Sequence, residues 1–464
     1  YHIMRTFAIF TLGCKVNQYE SQQIRELLER YDLAEVDVTE LPDLVVVNTC
    51  CVTHTASAKS RRVLHHALRH QPAAVIVCGC LPVVPDDEPS PNEPNVHVVS
   101  DRSSLGPMLG RLIETSRTTP DAANLGPSKD TPSRTENDLK VKYKNDLCAP
   151  PQLLPIGRFR GQARAFLKIQ DGCDAFCSYC IIPRTRPKVH SNPPDNVLAE
   201  AAALVAAGHR EIVVTGVHLG AYGQSTVRRR HWPAPENQHL ALLLERLARI
   251  PGLARIRLSS LDPADVTTRL LAVFAEHDNI MPHLHLSLQS GSDQVLRRMC
   301  RPYTADEFAA GVELARQFLD RPAITTDIIV GFPGETDDDF RRTLELAEWA
   351  GFAKMHVFAF SPRNGTAAAR MPERVPSEVK KERSQILRDL DQTFQSQFRR
   401  RFLGEAAQVL IETTNGPPSG RAERYFTVHL PDDGSAAAER VRPNDLITVR
   451  LLEDTADALL GAPA

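Results

Sequence analysis

The chain has 464 residues, of which 42% are hydrophobic and 24% charged, and its formal net charge is −2. This length suits roughly three domains, and no apolar run reaches the roughly 18 residues that a membrane-spanning helix needs. The near balance of charge excludes a chain that is basic overall, so any nucleic-acid binding must be local. The N-terminal residues Tyr1 to Met4 lack the charged and apolar regions of a secretion signal, and we expect a cytoplasmic protein without a membrane partner.

The first domain, residues 1–115, alternates short apolar runs with amphipathic stretches. This pattern predicts a parallel α/β sheet. Its predicted strands are Thr6–Thr11, Leu44–Asn48, Ala74–Val77 and Val96–Val99. Residues 116–156 are rich in Ser, Thr, Pro and Asp without periodicity, which predicts a linker or insertion that contains Cys148 as a bystander.

Residues 157–402 repeat a strand-helix unit, which predicts a doubly wound sheet or a complete or partial (β/α) barrel. The six predicted strands are Ala165–Ile169, Glu211–Val214, Arg255–Leu258, His283–Leu288, Ala323–Val330 and Lys354–Phe360. The clearest predicted helices are Pro194–Ala207, Gln238–Ile250 and Glu335–Trp349. A second insertion, Gln224 to Asn237, contains three consecutive arginines, and we expect it to be a surface loop.

The last part of the chain, residues 403–464, follows the helical stretch Pro376–Phe402. It contains short apolar runs joined by Gly- and Pro-bearing turns, which predicts a small all-β module. The predicted strands are Ala407–Ile411, Tyr425–Leu430 and Leu446–Leu451.

Three cysteines, Cys173, Cys177 and Cys180, form a CxxxCxxC run directly after the first predicted strand of the barrel. Three thiolates on so short a loop can hold three irons of an iron–sulfur cube and leave the fourth iron open for a cofactor. A structural zinc site would need a fourth nearby ligand in paired spacing, and the nearest candidate is His190. The run therefore favours an iron–sulfur cluster.

A second set of cysteines, Cys14, Cys50 and Cys80, follows three predicted strands of the first domain. Because the carboxyl ends of parallel strands meet at one edge of a sheet, these thiols are expected to converge there. Three buried small side chains are the alternative reading. Cys51 and Cys78 are additional thiols beside this set, and strand alternation alone cannot choose between Cys78 and Cys80.

These motifs resemble those of the methylthiotransferases, which are radical S-adenosyl-L-methionine (SAM) enzymes. The matching segments are TLGCKVNQYES, VNTCCVT, CGC, CDAFCSYCIIPRTR, LHLSLQSGSDQVLRRMCRPYT, TTDIIVGFPGET and HVFAFSPRNGTAAARMP. The resemblance implies a 4Fe–4S cluster on Cys173, Cys177 and Cys180 that cleaves SAM to a deoxyadenosyl radical. It also implies a second 4Fe–4S cluster on Cys14, Cys50 and Cys80, and a C-terminal TRAM-like RNA-binding module.

Cofactor-binding residues are expected at the ends of the barrel strands, where barrel enzymes build their sites. The resemblance places Tyr179 by the adenine of SAM and Thr215 and Gly216 at its amino group. Strand-end caps or turns are the alternative reading of the remaining residues. The full set of expected SAM contacts is Tyr179, Thr215, Gly216, Ser259, Ser260, Gln289 and Asp327.

The resemblance implies methylthiolation of C2 of a modified adenine beside the anticodon of tRNA. The loop Gly13 to Tyr19 resembles the branch that acts on N6-threonylcarbamoyladenosine. An isopentenylated adenosine and a ribosomal-protein aspartate are alternative substrates, and a non-catalytic RNA-binding zinc protein is an alternative of another class. We further expect a flavodoxin or ferredoxin as electron donor and a monomeric enzyme.

Local arginine clusters are the candidate contacts to RNA phosphates, with a solvated surface as the alternative for each. They are Arg61-Arg62, Arg184/Arg186/Lys188, Arg297-Arg298/Arg301 and Arg399-Arg400-Arg401. The family commonly has Arg-Gly-x-x-x-Ser-Arg after the cluster loop, whereas this chain reads Arg186-Pro187-Lys188-Val189-His190-Ser191-Asn192, which weakens a phosphate role there. We expect the β-module to add mainly phosphate contacts and to be dispensable for SAM cleavage.

Overall fold

The computed structural model describes residues 3–83, 93–117, 153–234, 237–431 and 441–463. The chain forms two compact units, Tyr1–Ile156 and Gly157–Ala464. Most of the predicted linker, including Cys148, lies outside the described residues. Among the described helices, none combines the length and the apolar character needed to cross a bilayer.

The first unit contains the predicted parallel sheet. Its strand order is β2-β1-β3-β4-β5, and every pair is parallel. The strands are β1 (Thr6–Thr11), β2 (Ala34–Glu35), β3 (Leu44–Thr49), β4 (Ala74–Gly79) and β5 (Val96–Val98). The helices are α1 (Lys15–Arg30), α2 (His54–Arg69) and α3 (Leu105–Arg117).

Both faces of this sheet are buried, because helices cover each of them. Val46 and Ile76 pack with side chains of α1 and α3 on one face. Val45 and Val77 pack with Leu64 of α2 on the other. A continuous apolar run such as that of β3 suits a strand buried on both sides, and it brings the strand ends to one edge.

The second unit begins with eight described strands. They are β6 (Arg164–Asp171), β7 (His190–Ser191), β8 (Glu211–Gly216), β9 (Arg255–Leu258), β10 (Ser260–Leu261), β11 (His283–Leu286), β12 (Ala323–Val330) and β13 (Lys354–Ala359). Six of them correspond to the strands predicted from the sequence, and the other two, β7 and β10, have only two residues each. The strands form two four-stranded sheets, β7-β6-β8-β9 and β10-β11-β12-β13. Ser259 is the single residue between β9 of the first sheet and β10 of the second. All pairs are parallel except β6 with β7, as a partial (β/α) barrel requires.

Helices connect these strands and cover the sheets. They are α4 (Ile182–Thr185), α5 (Pro194–Ala206), α6 (His239–Ala248), α7 (Thr268–Glu276), α8 (Asp293–Arg298), α9 (Ala305–Phe318), α10 (Asp337–Ala350) and α11 (Ser377–Arg400). Capping boxes at Thr304 and Thr336 begin α9 and α10, since each threonine accepts a backbone N–H and a carboxylate returns the bond.

The C-terminal segment forms a closed five-stranded barrel, which confirms the predicted small all-β module. Its strand order is β14-β15-β16-β18-β17. The strands are β14 (Ala406–Thr413), β15 (Ser419–Ala422), β16 (Thr427–His429), β17 (Leu446–Asp454) and β18 (Leu459–Pro463). Two of them, β15 and β18, carry glycines and were not expected from the sequence, because glycine is depleted in strands.

A buried ionic network joins this β-module to the (β/α) barrel. Glu211 accepts from Nε of Arg257 at 2.8 Å, and all of Glu211, Arg255 and Arg257 are fully buried or nearly so. Arg255 donates to the backbone carbonyls of Gln408 (2.6 Å) and Arg421 (2.9 Å).

The same network continues through Arg257, which donates to the carbonyls of Ala422 and Glu423, both at 2.7 Å. Tyr425 of the module stacks on His283 of β11 with ring centroids 4.3 Å apart. The expectation that the module adds mainly phosphate contacts stays a prediction, and these contacts show that the module is also a structural part of the second unit. Removing it would take away four backbone acceptors of these two guanidinium groups and expose the ionic network to solvent.

We predict that Glu211→Gln destabilises the second unit by about 3–5 kcal/mol, because two buried guanidinium groups lose their carboxylate. Glu245→Gln is the matched control, since Glu245 pairs with the partly exposed Arg249 and Arg269 and its loss should cost about 0–1 kcal/mol. Urea unfolding measures both. Equal losses in the two variants would contradict the role given to Glu211.

Candidate functional site

The CxxxCxxC loop begins at the carboxyl end of β6, where its backbone geometry demands a glycine. Gly172 has φ +81°, and a Cβ there would lie 1.8 Å from the carbonyl oxygen of Lys188. Cys173 donates its backbone N–H to the carbonyl of Arg186 at 2.8 Å. The first residues of the loop therefore pack against Arg186 and Lys188, which follow the loop in the chain.

A carboxylate ties the two ends of this loop together. Asp171 accepts from Lys168 Nζ at 2.8 Å and from Arg186 at 2.8 and 3.0 Å. Its Oδ1 also accepts the backbone N–H of Gly172 at 2.9 Å. Arg186, a candidate RNA contact, is therefore an internal anchor of the loop.

The second insertion forms an outer wall of the loop. Asp174 accepts from Thr226 Oγ1 (2.7 Å) and from the N–H of Val227 (2.9 Å). The guanidinium of Arg228 lies 3.9 Å from the ring centroid of Phe176. Val227 packs in one apolar cluster with Cys173. The expectation of a surface loop at Gln224 to Asn237 holds for residues such as Arg230 and His231, which are exposed, but not for Val227 and Trp232, which are buried.

The middle of the loop is anchored between its second and third cysteines. Ser178 donates its hydroxyl to the carbonyl of Arg298 (2.8 Å) and its N–H to that of Met299 (3.0 Å). Its own carbonyl accepts the N–H of Ala368 at 2.8 Å. Backbone contacts thus hold the loop on three sides.

The cysteine loop and the residues packed around it line a cavity of about 550 Å³, and all three cysteines of the motif belong to this lining. Tyr179 and Ser260, two of the expected SAM contacts, line it. Its other lining residues that carry polar groups are His218, Arg228, Arg229, Arg230, Asp262, Ser287, Cys300 and Arg301. The cavity is large enough for a small-molecule cofactor.

The remaining expected SAM contacts lie outside this lining. Thr215 and Ser259 are buried, and a Cβ at Gly216 would lie 3.0 Å from the carbonyl oxygen of Gln170. Gln289 has φ +66° and exchanges backbone hydrogen bonds with β12. Asp327 lies 3.3 Å from His285 Nε2. As SAM contacts these five residues stay predictions.

A chain of polar residues that lines the cavity beside Cys177 was not found from the sequence. Arg301 donates to Cys177 Sγ at 3.2 Å and to Asp262 Oδ1 at 2.5 Å. His218 Nε2 lies 3.4 Å from the other oxygen of Asp262. Only the position of Asp262 after a strand could have signalled this group, because the three residues come from three separate loops.

Burial is the main influence on the pKa of the three thiols of the motif. Burial raises the pKa of Cys173 to about 11 and that of Cys180 to about 12. Burial also raises the pKa of Cys177, against the opposing effect of Arg301. Metal ligation requires thiolates, so bound cations must supply the charge that displaces these protons.

The cysteines of the first unit follow β1, β3 and β4, and the loops that carry them lie against one another. A Cβ at Gly13 would lie 2.9 Å from Cys50 Sγ, and one at Gly79 would lie 2.4 Å from the carbonyl oxygen of Thr49. Cys80 donates its N–H to Thr49 at 3.1 Å. Cys14 precedes α1 and is exposed.

Two asparagines hold these loops together. Asn17 Nδ2 donates to the carbonyls of Leu12 (2.7 Å) and Thr49 (2.8 Å). Asn48 Nδ2 donates to the carbonyl of Asn17 at 2.9 Å. The arrangement of Cys14 and Cys50 therefore depends on amide side chains that sequence reasoning did not single out.

The two additional thiols belong to the packed interior. Cys78 lies in the apolar cluster shared with Ile76 and α1, and burial raises its pKa to about 12. Cys51 is fully buried and its Sγ donates to the carbonyl of Cys80 at 3.4 Å. Both positions favour a structural role.

Several of the arginine clusters are bound within the protein. Arg301 and Arg186 pair with aspartates as described above, and the buried Arg399 donates to Asp454 at 2.7 Å. Arg298 lies 3.4 Å from the exposed Glu373. Arg400 is exposed but also pairs with Asp454 at 3.1 Å. The other exposed cations of the predicted set are Arg62, Arg184, Lys188, Arg297 and Arg401.

Comparisons with known proteins agree with this geometry. The model of the radical SAM superfamily matches residues 167–347, and that of the uncharacterized protein family UPF0004 matches residues 6–101. The threonylcarbamoyladenosine tRNA methylthiotransferase MtaB of Chlamydia pneumoniae is 36% identical over 98% of this chain and 97% of its own length.

The corresponding Thermotoga maritima protein is 35% identical over 99% of both chains. The tRNA-2-methylthio-N(6)-dimethylallyladenosine synthase of Thermobifida fusca is 34% identical over 96% of this chain and 87% of its own length. The chain belongs to the radical SAM tRNA methylthiotransferase family. This membership confirms the expected enzyme class and with it an iron–sulfur cluster and SAM, and it overturns the reading as a non-catalytic zinc protein.

The fold of this methylthiotransferase also resembles a solved radical SAM structure. The methyltransferase TsrM from Kitasatospora setae, bound to cobalamin and a 4Fe–4S cluster, aligns with a TM-score of 0.50 and 14% identity over 80% of this chain and 77% of its own. At that identity the similarity concerns the fold alone.

We predict that replacing Cys173, Cys177 or Cys180 of this methylthiotransferase with Ala abolishes dithionite-dependent formation of 5′-deoxyadenosine from SAM, because each thiolate is needed to hold the cluster. Cys300→Ala is the matched control, since Cys300 lines the same cavity outside the motif. That variant should form the product at the wild-type rate. Full activity in any of the three motif variants would contradict the ligand assignment.

Proposed function

We propose that the protein methylthiolates C2 of N6-threonylcarbamoyladenosine beside the anticodon of tRNA. The observation that carries the proposal is the presence of two cysteine triads in separate units, one in the loop after β6 and one in the loops after β1, β3 and β4. Membership of the methylthiotransferase family provides the reaction class. The identity of the substrate base and the presence of the second cluster are the two parts of the proposal that go beyond family membership.

The reaction needs radical chemistry, because the C2–H bond of adenine is too weakly acidic for a general base. When bound, the cluster and SAM supply the hydrogen-abstracting radical. Cys173, Cys177 and Cys180 would hold that cluster, and Thr226 to Arg228 pack against the loop that carries them. Arg301 positions Cys177 through its hydrogen bond to the sulfur.

We propose that a second 4Fe–4S cluster on Cys14, Cys50 and Cys80 would hold the sulfur that is inserted at C2, and that a second SAM supplies the methyl group. The loops carrying these residues converge, and the family model over residues 6–101 covers all three. Cys78 faces an apolar core instead. Three ligands again suit a cluster with one iron open to an exogenous group.

We predict that Cys80→Ser lowers the iron content of anaerobically reconstituted protein by about four atoms per chain, the content of one 4Fe–4S cluster. Cys78→Ser serves as the matched control and should retain the full iron content. Iron analysis with acid-labile sulfide measures both variants. The reverse pattern would transfer the ligand role to Cys78.

The preference for the threonylcarbamoyl group rests on charge. That group carries a carboxylate, whereas an isopentenyl tail would call for an apolar pocket. Three consecutive arginines edge the cavity, and Arg228 and Arg229 pair with Asp174 and Asp265. Arg230 donates to His231 at 3.2 Å. We assign recognition of the substrate carboxylate to Arg230.

We predict that the wild-type enzyme forms methylthio product on an anticodon stem-loop carrying threonylcarbamoyladenosine and none on the isopentenylated stem-loop. Mass spectrometry of the digested RNA measures the product. Arg230→Gln should lower kcat/KM on the threonylcarbamoylated RNA by about 10- to 100-fold, since a charge-assisted hydrogen bond contributes about 1.5–3 kcal/mol.

Formation of 5′-deoxyadenosine without RNA is the control and should be unchanged in Arg230→Gln. Product only on the isopentenylated stem-loop would contradict the substrate while leaving the reaction class intact. Product on a ribosomal-protein aspartate alone would contradict the proposal that tRNA is methylthiolated. Equal kcat/KM of Arg230→Gln and wild type would remove Arg230 from the recognition site.

A further inference from the structure

Three potential metal ligands lie on neighbouring strands of the barrel, apart from both cysteine triads. His285, Asp327 and His356 belong to β11, β12 and β13, and one ligand atom of each lies within 4.8 Å of the other two. The register pairs Asp327 with His356 across β12 and β13. All three are partly buried, so a hydrated ion can reach them.

A hydroxyl orients the first of these imidazoles. Thr325 Oγ1 lies 2.9 Å from His285 Nδ1, and Nε2 of the same ring lies 3.3 Å from Asp327 Oδ2. Thr325 pairs with His285 in the strand register. An outer partner on one ring nitrogen directs the other nitrogen inward, as partners of metal-bound histidines do.

We propose that His285, Asp327 and His356 bind one divalent transition-metal ion. Two imidazole nitrogens and one carboxylate oxygen favour ions such as Zn²⁺ or Fe²⁺ over Mg²⁺, which prefers oxygen donors. Three protein ligands leave coordination positions for water or another ligand. The site is independent of the proposed substrate.

The strand register places this site next to the cavity. His285 pairs with Ser260 across β10 and β11, and Ser287 follows two positions along the same strand direction. Ser260 and Ser287 both line the cavity. The ion would therefore lie beside the space that holds the small-molecule cofactor.

A simple ion pair between His285 and Asp327 is the competing explanation. Substitution of His356 distinguishes this ion pair from a metal site. One imidazole and one carboxylate suffice for an ion pair, so His285 and Asp327 alone would satisfy it. A metal site also requires the nitrogen of His356. The effect of His356→Ala on metal binding therefore decides between these explanations.

The experiment titrates Zn²⁺ into full-length, anaerobically reconstituted protein by calorimetry, with Mg²⁺ as the second cation. Wild type should bind one Zn²⁺ per chain at this site and no Mg²⁺ at the same concentration. His356→Ala and Asp327→Asn should weaken Zn²⁺ binding more than 100-fold. Thr325→Val, which removes the outer partner, should weaken it about 10- to 100-fold.

His65→Ala is the matched control, because His65 is exposed on α2 in the other unit. The Zn²⁺ affinity of this variant should equal that of wild type. Iron content and thermal unfolding establish that each variant retains its clusters and fold. Zn²⁺ affinity unchanged in both His356→Ala and Asp327→Asn would overturn the proposal. Absence of Zn²⁺ binding by wild type would overturn it equally.

Discussion

The buried carboxylate of Glu211 is the constraint on which the second unit depends. Burial raises its pKa, but Arg257, Arg164 and Arg255 outweigh that effect and lower it below the ordinary value. The carboxylate compensates part of this positive charge, and backbone carbonyls of the β-module accept hydrogen bonds from the Nη atoms of Arg255 and Arg257. Since an uncompensated buried charge is costly, the β-module is a structural part of the barrel and not an appendage.

The opposite end of the barrel is organised by polar contacts to single carboxylates and hydroxyls. Asp171 joins the two ends of the cysteine loop, Asp174 binds the second insertion, and Ser178 binds the segment after α8. Each of these residues forms hydrogen bonds with backbone groups or with a charged side chain. A loop held in this way has its shape before the cofactor binds, which lowers the ordering cost of assembling the site.

The sequence predicts elements well where local pattern and tertiary environment agree. The bounds of Thr6–Thr11, Arg255–Leu258 and Ala323–Val330 agree with the structure, because apolar periodicity follows burial. The Arg228 segment was misjudged in part, since its polar composition is typical of exposed loops while its contacts to Asp174 and Phe176 are tertiary. The Arg301–Asp262–His218 chain was unpredictable for the same reason: hydrogen bonds across separate loops leave no periodic trace.

Internal pairing of arginines also changes how RNA recognition must work. Arg186, Arg301 and Arg399 are committed to aspartates within the fold, and the whole chain is close to neutral. Counterion release from phosphates therefore depends on a smaller set of exposed cations than the sequence suggests. With a modest nonspecific contribution, discrimination falls on contacts to the modified base itself. Under the proposed function, Arg230 at the cavity edge would act on selectivity more than on overall affinity.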